Sequence, residues 1–295
     1  MKVAVLMSGQ ARYLEQSADW WTKRTFQPAF ERLHADYFFN IWDDGTDNLD
    51  DRIKNLYNAR VVEISDYDAT VKEHIRKIKE ANINADDWHL VPDYAQHTVC
   101  YKGEETSRYM YNFPGMFLAC SKIAKTFEPY HKEYDLVIKT RTDCVLNDLS
   151  EYHWQRLLGN MIRQRQFDDI VFTPWMSVKG GLPFIGDLCF VGRPHLMQNF
   201  MRNIDQDLLK IATHDKHLLS DFLLAPDIPF AHWIWSRLSL YSKTNWLAIS
   251  VVWPVPFGTC LLRNNEPVLD KTFQHLEHSY NTEESRRHEQ LYSYA

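Results

Sequence analysis

Short apolar runs alternate with longer amphipathic stretches through the first half of this chain, and that alternation restricts the available folds more than any single motif does. Residues 2–7, 36–42, 60–64 and 135–139 are brief runs rich in β-branched and aromatic side chains, the pattern of buried strands. Between them lie stretches with helical spacing. Residues 15–33 carry Trp20, Trp21, Phe26, Phe30 and Leu33, with Pro28 as an interruption. Ordinary amphipathic patterning assigns these aromatics to core. Residues 66–81 read as a charged, exposed helix, and residues 113–127 as a helix with Met116, Phe117, Ala119, Cys120, Ile123, Ala124 and Phe127 on its apolar side. Strands and helices in strict alternation predict a mostly parallel sheet covered by helices.

The run at 135–139 leads straight into Arg141, Thr142 and Asp143. In open α/β sheets ligands sit outside the carboxyl ends of the strands, so polar residues there are placed at the mouth of a cleft. Period-two geometry sets Arg141 and Asp143 on the same side. A carboxylate at that point suits a hard cation such as Mg²⁺ or Mn²⁺, and an arginine beside it suits phosphate oxygens. The same residues also read as an internal ion pair, and the local sequence does not choose between the two.

A chain of 295 residues is ample for a buried core. Aromatic residues make up 14% of it, which favours aromatic-lined clefts over disorder, and the net charge of −6 excludes a global basic field for nucleic acid. The five cysteines (Cys100, Cys120, Cys144, Cys189 and Cys260) are dispersed, with no C-x-x-C pair. That spacing predicts reduced thiols and no structural zinc site, with Cys144 and Cys189 given to core packing. The apolar run after Met1 is too short for a secretion signal, and no stretch reaches the roughly 20 residues of a membrane span. The expectation is a soluble, cytoplasmic protein.

Ser8-Gly9-Gln10-Ala11-Arg12 follows the first strand, with a glycine that lets backbone approach a ligand. Asp43-Asp44-Gly45 reads as turn chemistry before metal binding. Residues 82–111 show no clear period. Further on, 152–165 and 195–204 read as helices, 169–173 and 187–191 as strands, 177–186 as a glycine-containing loop, 230–242 as a helix and 247–253 as a last strand. The polar tail from 277 is expected to be loosely held. Neither G-x-G-x-x-G after the first strand nor G-x-x-x-x-G-K anywhere is present, which disfavours dehydrogenases and P-loop NTPases.

Three motifs together carry a resemblance: S-G-Q-x-R at Ser8 to Arg12, Y-D-x-V-x-x-x-R-x-D at Tyr134 to Asp143, and G-D-x-x-F-x-G at Gly186 to Gly192. The set, over about residues 1–255, resembles nucleotide-sugar glycosyltransferases of the A-type fold, including bacterial surface-polysaccharide and viral or phage members. The resemblance implies a single Rossmann-like α/β domain over 1–255, binding a sugar nucleotide, expected as a UDP-sugar, at the carboxyl edge of its sheet. Residues 256–295 would form an extension packing on the site or partly mobile. In such enzymes a D-x-D holds a divalent cation against the diphosphate. This chain has Arg141-Thr142-Asp143, so only the second carboxylate matches, and Arg141 itself can neutralise diphosphate charge.

The candidate donor-binding residues are therefore Ser8, Gly9, Gln10, Arg12, Lys139, Arg141 and Asp143. The resemblance adds Asp143 and a late histidine, His275 or His278, as ligands of Mn²⁺ or Mg²⁺. An acceptor hydroxyl needs a base, or the donor sugar a carboxylate. Asp187, after the glycine-rich loop, is the first candidate, with an ion pair to Arg193 as its structural alternative. His232 is the second, and it reads equally as a histidine buried among Phe230, Trp233 and Trp235. The expected reaction is sugar transfer to a hydroxyl of a glycan, a lipid-linked sugar or a hydroxymethylated base of viral DNA. A nucleotidyltransferase and a non-catalytic sugar-nucleotide-binding protein are the rivals. Donor sugar, acceptor, stereochemistry and oligomeric state are not legible.

Overall fold

A computed structural model describes residues 2–25, 34–81, 88–91, 98–101, 104–105, 113–146, 168–173, 176–179, 182–185, 189–214, 230–248, 259–263 and 266–269. The strands are β1 (Lys2–Gly9), β2 (His34–Trp42), β3 (Val61–Ser65), β4 (Trp88–Val91), β5 (Thr98–Tyr101), β6 (Glu104–Glu105), β7 (Leu136–Thr140), β8 (Cys144–Leu146), β9 (Ile170–Thr173), β10 (Met176–Lys179), β11 (Leu182–Ile185), β12 (Phe190–Gly192), β13 (Asn245–Ala248), β14 (Thr259–Arg263) and β15 (Glu266–Leu269). The helices are α1 (Leu14–Ala18), α2 (Leu49–Tyr57), α3 (Tyr67–Ala81), α4 (Phe113–Phe127), α5 (Pro194–Met201), α6 (Ile204–His214) and α7 (Phe230–Ser242).

Seven strands form one sheet in the order β13-β9-β12-β7-β1-β2-β3. All its pairings are parallel except those of β12, which runs against β7 and β9. This is the mostly parallel α/β sheet that the alternation predicts. The reversal at β12 has a local cause. A parallel return needs a crossover of a dozen or more residues, usually a helix. Between β9 and β12 the described chain instead folds into the antiparallel hairpin β10–β11.

Both faces of the sheet are covered. Along β1, Val3, Val5 and Met7 pack with Leu14, Trp21, Phe39, Ile53 and Tyr57 on one side. Ala4 and Leu6 pack with Phe38, Phe117, Ile123, Phe127 and Trp235 on the other. Residues 3–7 are all fully buried, which explains why β1 reads as a continuous apolar run and not an alternating one.

The amino edge of the sheet is closed by ion pairs. Arg60 donates to both oxygens of Glu133, at 2.8 and 2.9 Å, and to the Tyr134 hydroxyl at 2.6 Å. Tyr134 in turn donates to Asp36 at 2.6 Å, and Lys2 bonds Glu133 at 3.1 Å. The hydrogen bonds from Arg60 and then Lys2 hold the Glu133 carboxyl down to about 2. Charges at this edge satisfy one another.

Several expectations change in detail. Of the helix read over 15–33, the described part is a short α1 followed by a π-helical segment, Asp19–Thr25, and residues 26–33 lie outside the described residues. Trp21 is nonetheless core, fully buried. The aperiodic 82–111 region contains a three-stranded antiparallel sheet, β4-β5-β6. Asp43 and Asp44 accept the backbone N–H of Gly45 and Thr46 at 2.9 and 3.0 Å, so the turn reading holds for them. The expected helix at 152–165 and the tail from 277 lie outside the described residues. Strand β14 pairs antiparallel with β8, setting Leu261 opposite Cys144, so a late segment lies directly beside the residue after Asp143.

Candidate functional site

The site is built where the sheet order reverses. From β1 the chain adds β2 and then β3 on one side, and β7 later joins β1 on the other. The crevice outside the carboxyl ends of β1 and β7 is thus a topological switch point, the usual ligand position in open α/β sheets. The β1–β7 register ends at Met7 opposite Thr140. Ser8 to Arg12 and Arg141 to Asp143 therefore leave the sheet side by side.

Thr142 locks these two loops together. Its hydroxyl donates to the Gln10 carbonyl at 2.7 Å and accepts the Arg12 backbone N–H at 3.2 Å. The side chain is 1% exposed. A second brace comes from the other side, where the Trp21 indole N–H donates to the Cys144 carbonyl at 2.9 Å. The loop's own backbone is unusual. Gly9 has φ +112°, a region for glycine, and Tyr13 is left-handed at φ 52°. Two such residues within five mark a backbone shape held by its surroundings.

Arg141 and Asp143 form a bidentate pair. Arginine Nε donates to Oδ1 and Nη2 to Oδ2, both at 2.8 Å. Asp143 is the inner member, its side chain 3% exposed against 26% for Arg141. The ion-pair reading of R-x-D is thus realised at the position where a ligand is expected, and the two readings are not exclusive.

The other predicted residues fall as follows. Ser8 is buried at the end of β1, Gly9 closes the strand, and Arg12 is exposed. Lys139 is 1% exposed, with its amine 5.2 Å from the centroid of the Phe190 ring. It alternates along β7 with Ile138 and Thr140, so it belongs to the α4 side of the sheet. His232 lies on α7, of which the neighbouring Trp235 packs at 5.0 Å on Phe190. Asp187 and His275 lie outside the described residues, as does His278. Arg193, the structural alternative partner for Asp187, donates to Asp168 at 2.8 Å and to the Asp135 carbonyl at 3.3 Å.

Thr142 is the residue that sequence reasoning passed over. Set between two charges it reads as a spacer, and its only signal is a hydroxyl at a position that strand alternation would bury. Cys144 and Cys189 are buried as thiols in the core. Burial pushes the Cys189 thiol up, Cys144 adds to the effect and Lys139 opposes it. A thiol kept protonated in this way packs and does not attack.

Among the described residues, no three His, Cys, Asp or Glu side chains converge to hold a divalent cation. Each Asp143 oxygen already accepts a guanidinium N–H, and that guanidinium repels a second positive charge.

No protein-family model matches the chain, and no curated protein does. Among solved structures the chain is similar to the apo form of mouse xyloside xylosyltransferase 1, at 10% identity and a TM-score of 0.41, over 86% of this chain and 87% of that one. It is also similar to a putative nucleotide-diphospho-sugar transferase from Desulfovibrio desulfuricans G20, at 9% identity and a TM-score of 0.35, over 84% and 79%. Neither likeness bears on substrate. Among the described residues no helix is long and apolar enough to cross a membrane.

Proposed function

We infer that this chain is a glycosyltransferase that moves a sugar from a nucleoside diphosphate, with UDP-sugars the first donors to test, to a hydroxyl acceptor. One observation carries the reading: the two motif loops, Ser8 to Arg12 and Arg141 to Asp143, meet at the switch point of the sheet and are bonded through Thr142. That arrangement brings the Arg12 backbone and the Arg141 guanidinium to one edge, where a diphosphate is the complementary ligand.

In the transfer, the bond between the anomeric carbon and the diphosphate oxygen breaks as the acceptor oxygen bonds to that carbon. The diphosphate leaves with added negative charge, and the acceptor proton passes to a base. Cations fixed at the leaving oxygens lower the barrier, because they are aimed where charge develops. Arg141 and Arg12 are the residues proposed for that task. Asp187 and His232 are the proposed groups for the acceptor proton or for orienting the donor sugar.

Product analysis on a panel of nucleotide sugars tests the reading. Release of nucleoside diphosphate, by transfer or by slow hydrolysis of the donor, supports it. Pyrophosphate release assigns nucleotidyl transfer instead, and donor binding with no turnover assigns a binding protein.

A further inference from the structure

We propose that Arg12 is the arginine that closes on the diphosphate, its main chain fixed in advance by Thr142 and its guanidinium left for the ligand. The proposal rests on the reading that the donor lies at the β1/β7 edge. It deepens that reading by ranking the two arginines there: Arg12 supplies the uncompensated charge, and Arg141 enters already bound to Asp143.

Charge is the first support. Arg141 and Asp143 face each other through two hydrogen bonds of 2.8 Å, so their formal charges cancel within one loop. Arg12 is exposed, and among the described residues its guanidinium makes no hydrogen bond or ion pair. It adds a whole positive charge to this edge. An anion is drawn to such a charge from further away than to a close pair, whose attraction and repulsion largely offset each other.

Anchoring of the main chain is the second. The Arg12 N–H donates to the Gln10 carbonyl at 3.0 Å and to the Thr142 hydroxyl at 3.2 Å. That hydroxyl itself donates to the Gln10 carbonyl at 2.7 Å. On the other side, the Tyr13 carbonyl accepts the Ser17 N–H at 2.9 Å in the first turn of α1. The chain is thus held before and after Arg12, and binding has one side chain left to order.

Room for a ligand is the third. A Cβ added at Gly9 would meet nothing within 4 Å, and its φ of +112° is one that a side chain rarely adopts. The loop that carries Arg12 therefore has open space against a bare stretch of backbone, where a ligand can approach closely. Across the Gln10–Arg12 turn from that space stands a planar fork of five N–H donors that stays charged and matches phosphate oxygens two at a time.

Calorimetry on the full chain tests this, with UDP as the probe and GDP and ADP beside it, both with Mg²⁺ present and in EDTA. Arg12→Gln should weaken UDP by about ten- to a hundredfold, the range for hydrogen bonds to a charged group. Its urea midpoint should match that of the unaltered chain, because the exposed guanidinium has no described partner to lose. Arg12→Lys should restore only part of the affinity, since a point charge replaces a fork. Added salt should weaken UDP less in Arg12→Gln than in the unaltered chain, one exposed charge having been removed. If Arg12→Gln binds UDP as the unaltered chain does, Arg12 is a solvated surface residue. The proposal is then overturned and the glycosyltransferase reading stands. A fall in urea midpoint that accompanies the loss of affinity overturns it as well, by making Arg12 part of the frame. Failure of every nucleoside diphosphate and nucleotide sugar to bind the unaltered chain in either buffer overturns both.

Discussion

Thr142→Val isolates the bond between the two loops. Valine keeps the branched shape and removes the hydroxyl, so the Gln10 carbonyl loses its donor at 2.7 Å and the Arg12 N–H its acceptor at 3.2 Å. A buried polar group left unmatched costs about 1–3 kcal/mol. Gln10 and Arg12 are themselves exposed, so water takes up part of the loss at their backbone. The sum for both groups should therefore stay near about 1–3 kcal/mol, well below twice the upper figure. Urea unfolding measures that loss, and calorimetry with UDP measures its consequence for the site. Loosening the loops should lower UDP affinity by about tenfold, a coupling of ordinary size between packed neighbours. Thr142→Ser retains the oxygen and should keep most of both. If Thr142→Val matches the unaltered chain in urea midpoint and in UDP affinity, Thr142 does not hold the site together.

Other perturbations bear on the frame around it. Gly9→Ala places a methyl group in open space, since nothing lies within 4 Å; its cost, about 1–3 kcal/mol, should come from backbone strain at φ +112° alone. Trp21→Phe removes the indole N–H from the Cys144 carbonyl and leaves a void, for about 2–4 kcal/mol by denaturation. His74 is 5% exposed on α3; burial lowers its pKa from 6.5 to about 4, Asp205 opposing the shift and Lys77 adding to it. The unfolded chain takes up that proton near pH 6.5 and the folded chain only near pH 4, so stability present above pH 6.5 is lost as pH falls toward 4. Between pH 7 and 5 the loss should be about 2 kcal/mol, and His74→Leu should remove that part of the decline in urea midpoints. An unchanged slope in His74→Leu assigns the decline to other groups.

Much of this frame is legible in the sequence because burial on both faces leaves a simple mark. Val3 to Met7 and Leu136 to Ile138 are apolar without alternation, and only a central parallel strand requires that. Arg141 and Asp143 stand out because charge directly after such a run needs a reason. Less could be read where pairing is distant. Nothing local in Thr259 to Leu261 announces that it pairs with Cys144 to Leu146. The short strands from Trp88 to Glu105 hide because their aromatics follow no period over so few residues. The hairpin of Met176–Lys179 and Leu182–Ile185 was signalled only as a glycine-containing loop over 177–186, with no reading of the direction of β12. Thr142 was not, since its role depends on a loop more than 100 residues away.

The crevice at the carboxyl ends of β1 and β7 is the proposed seat of the diphosphate of a sugar nucleotide. A crystal structure of the chain with UDP, or with the nucleotide sugar that binds best, tests it most directly. The diphosphate is expected between Gly9 to Arg12 and Arg141 to Asp143, with Arg141 still paired to Asp143. Density for the nucleotide at another edge of the sheet, or a crevice left empty at saturating ligand, would contradict it.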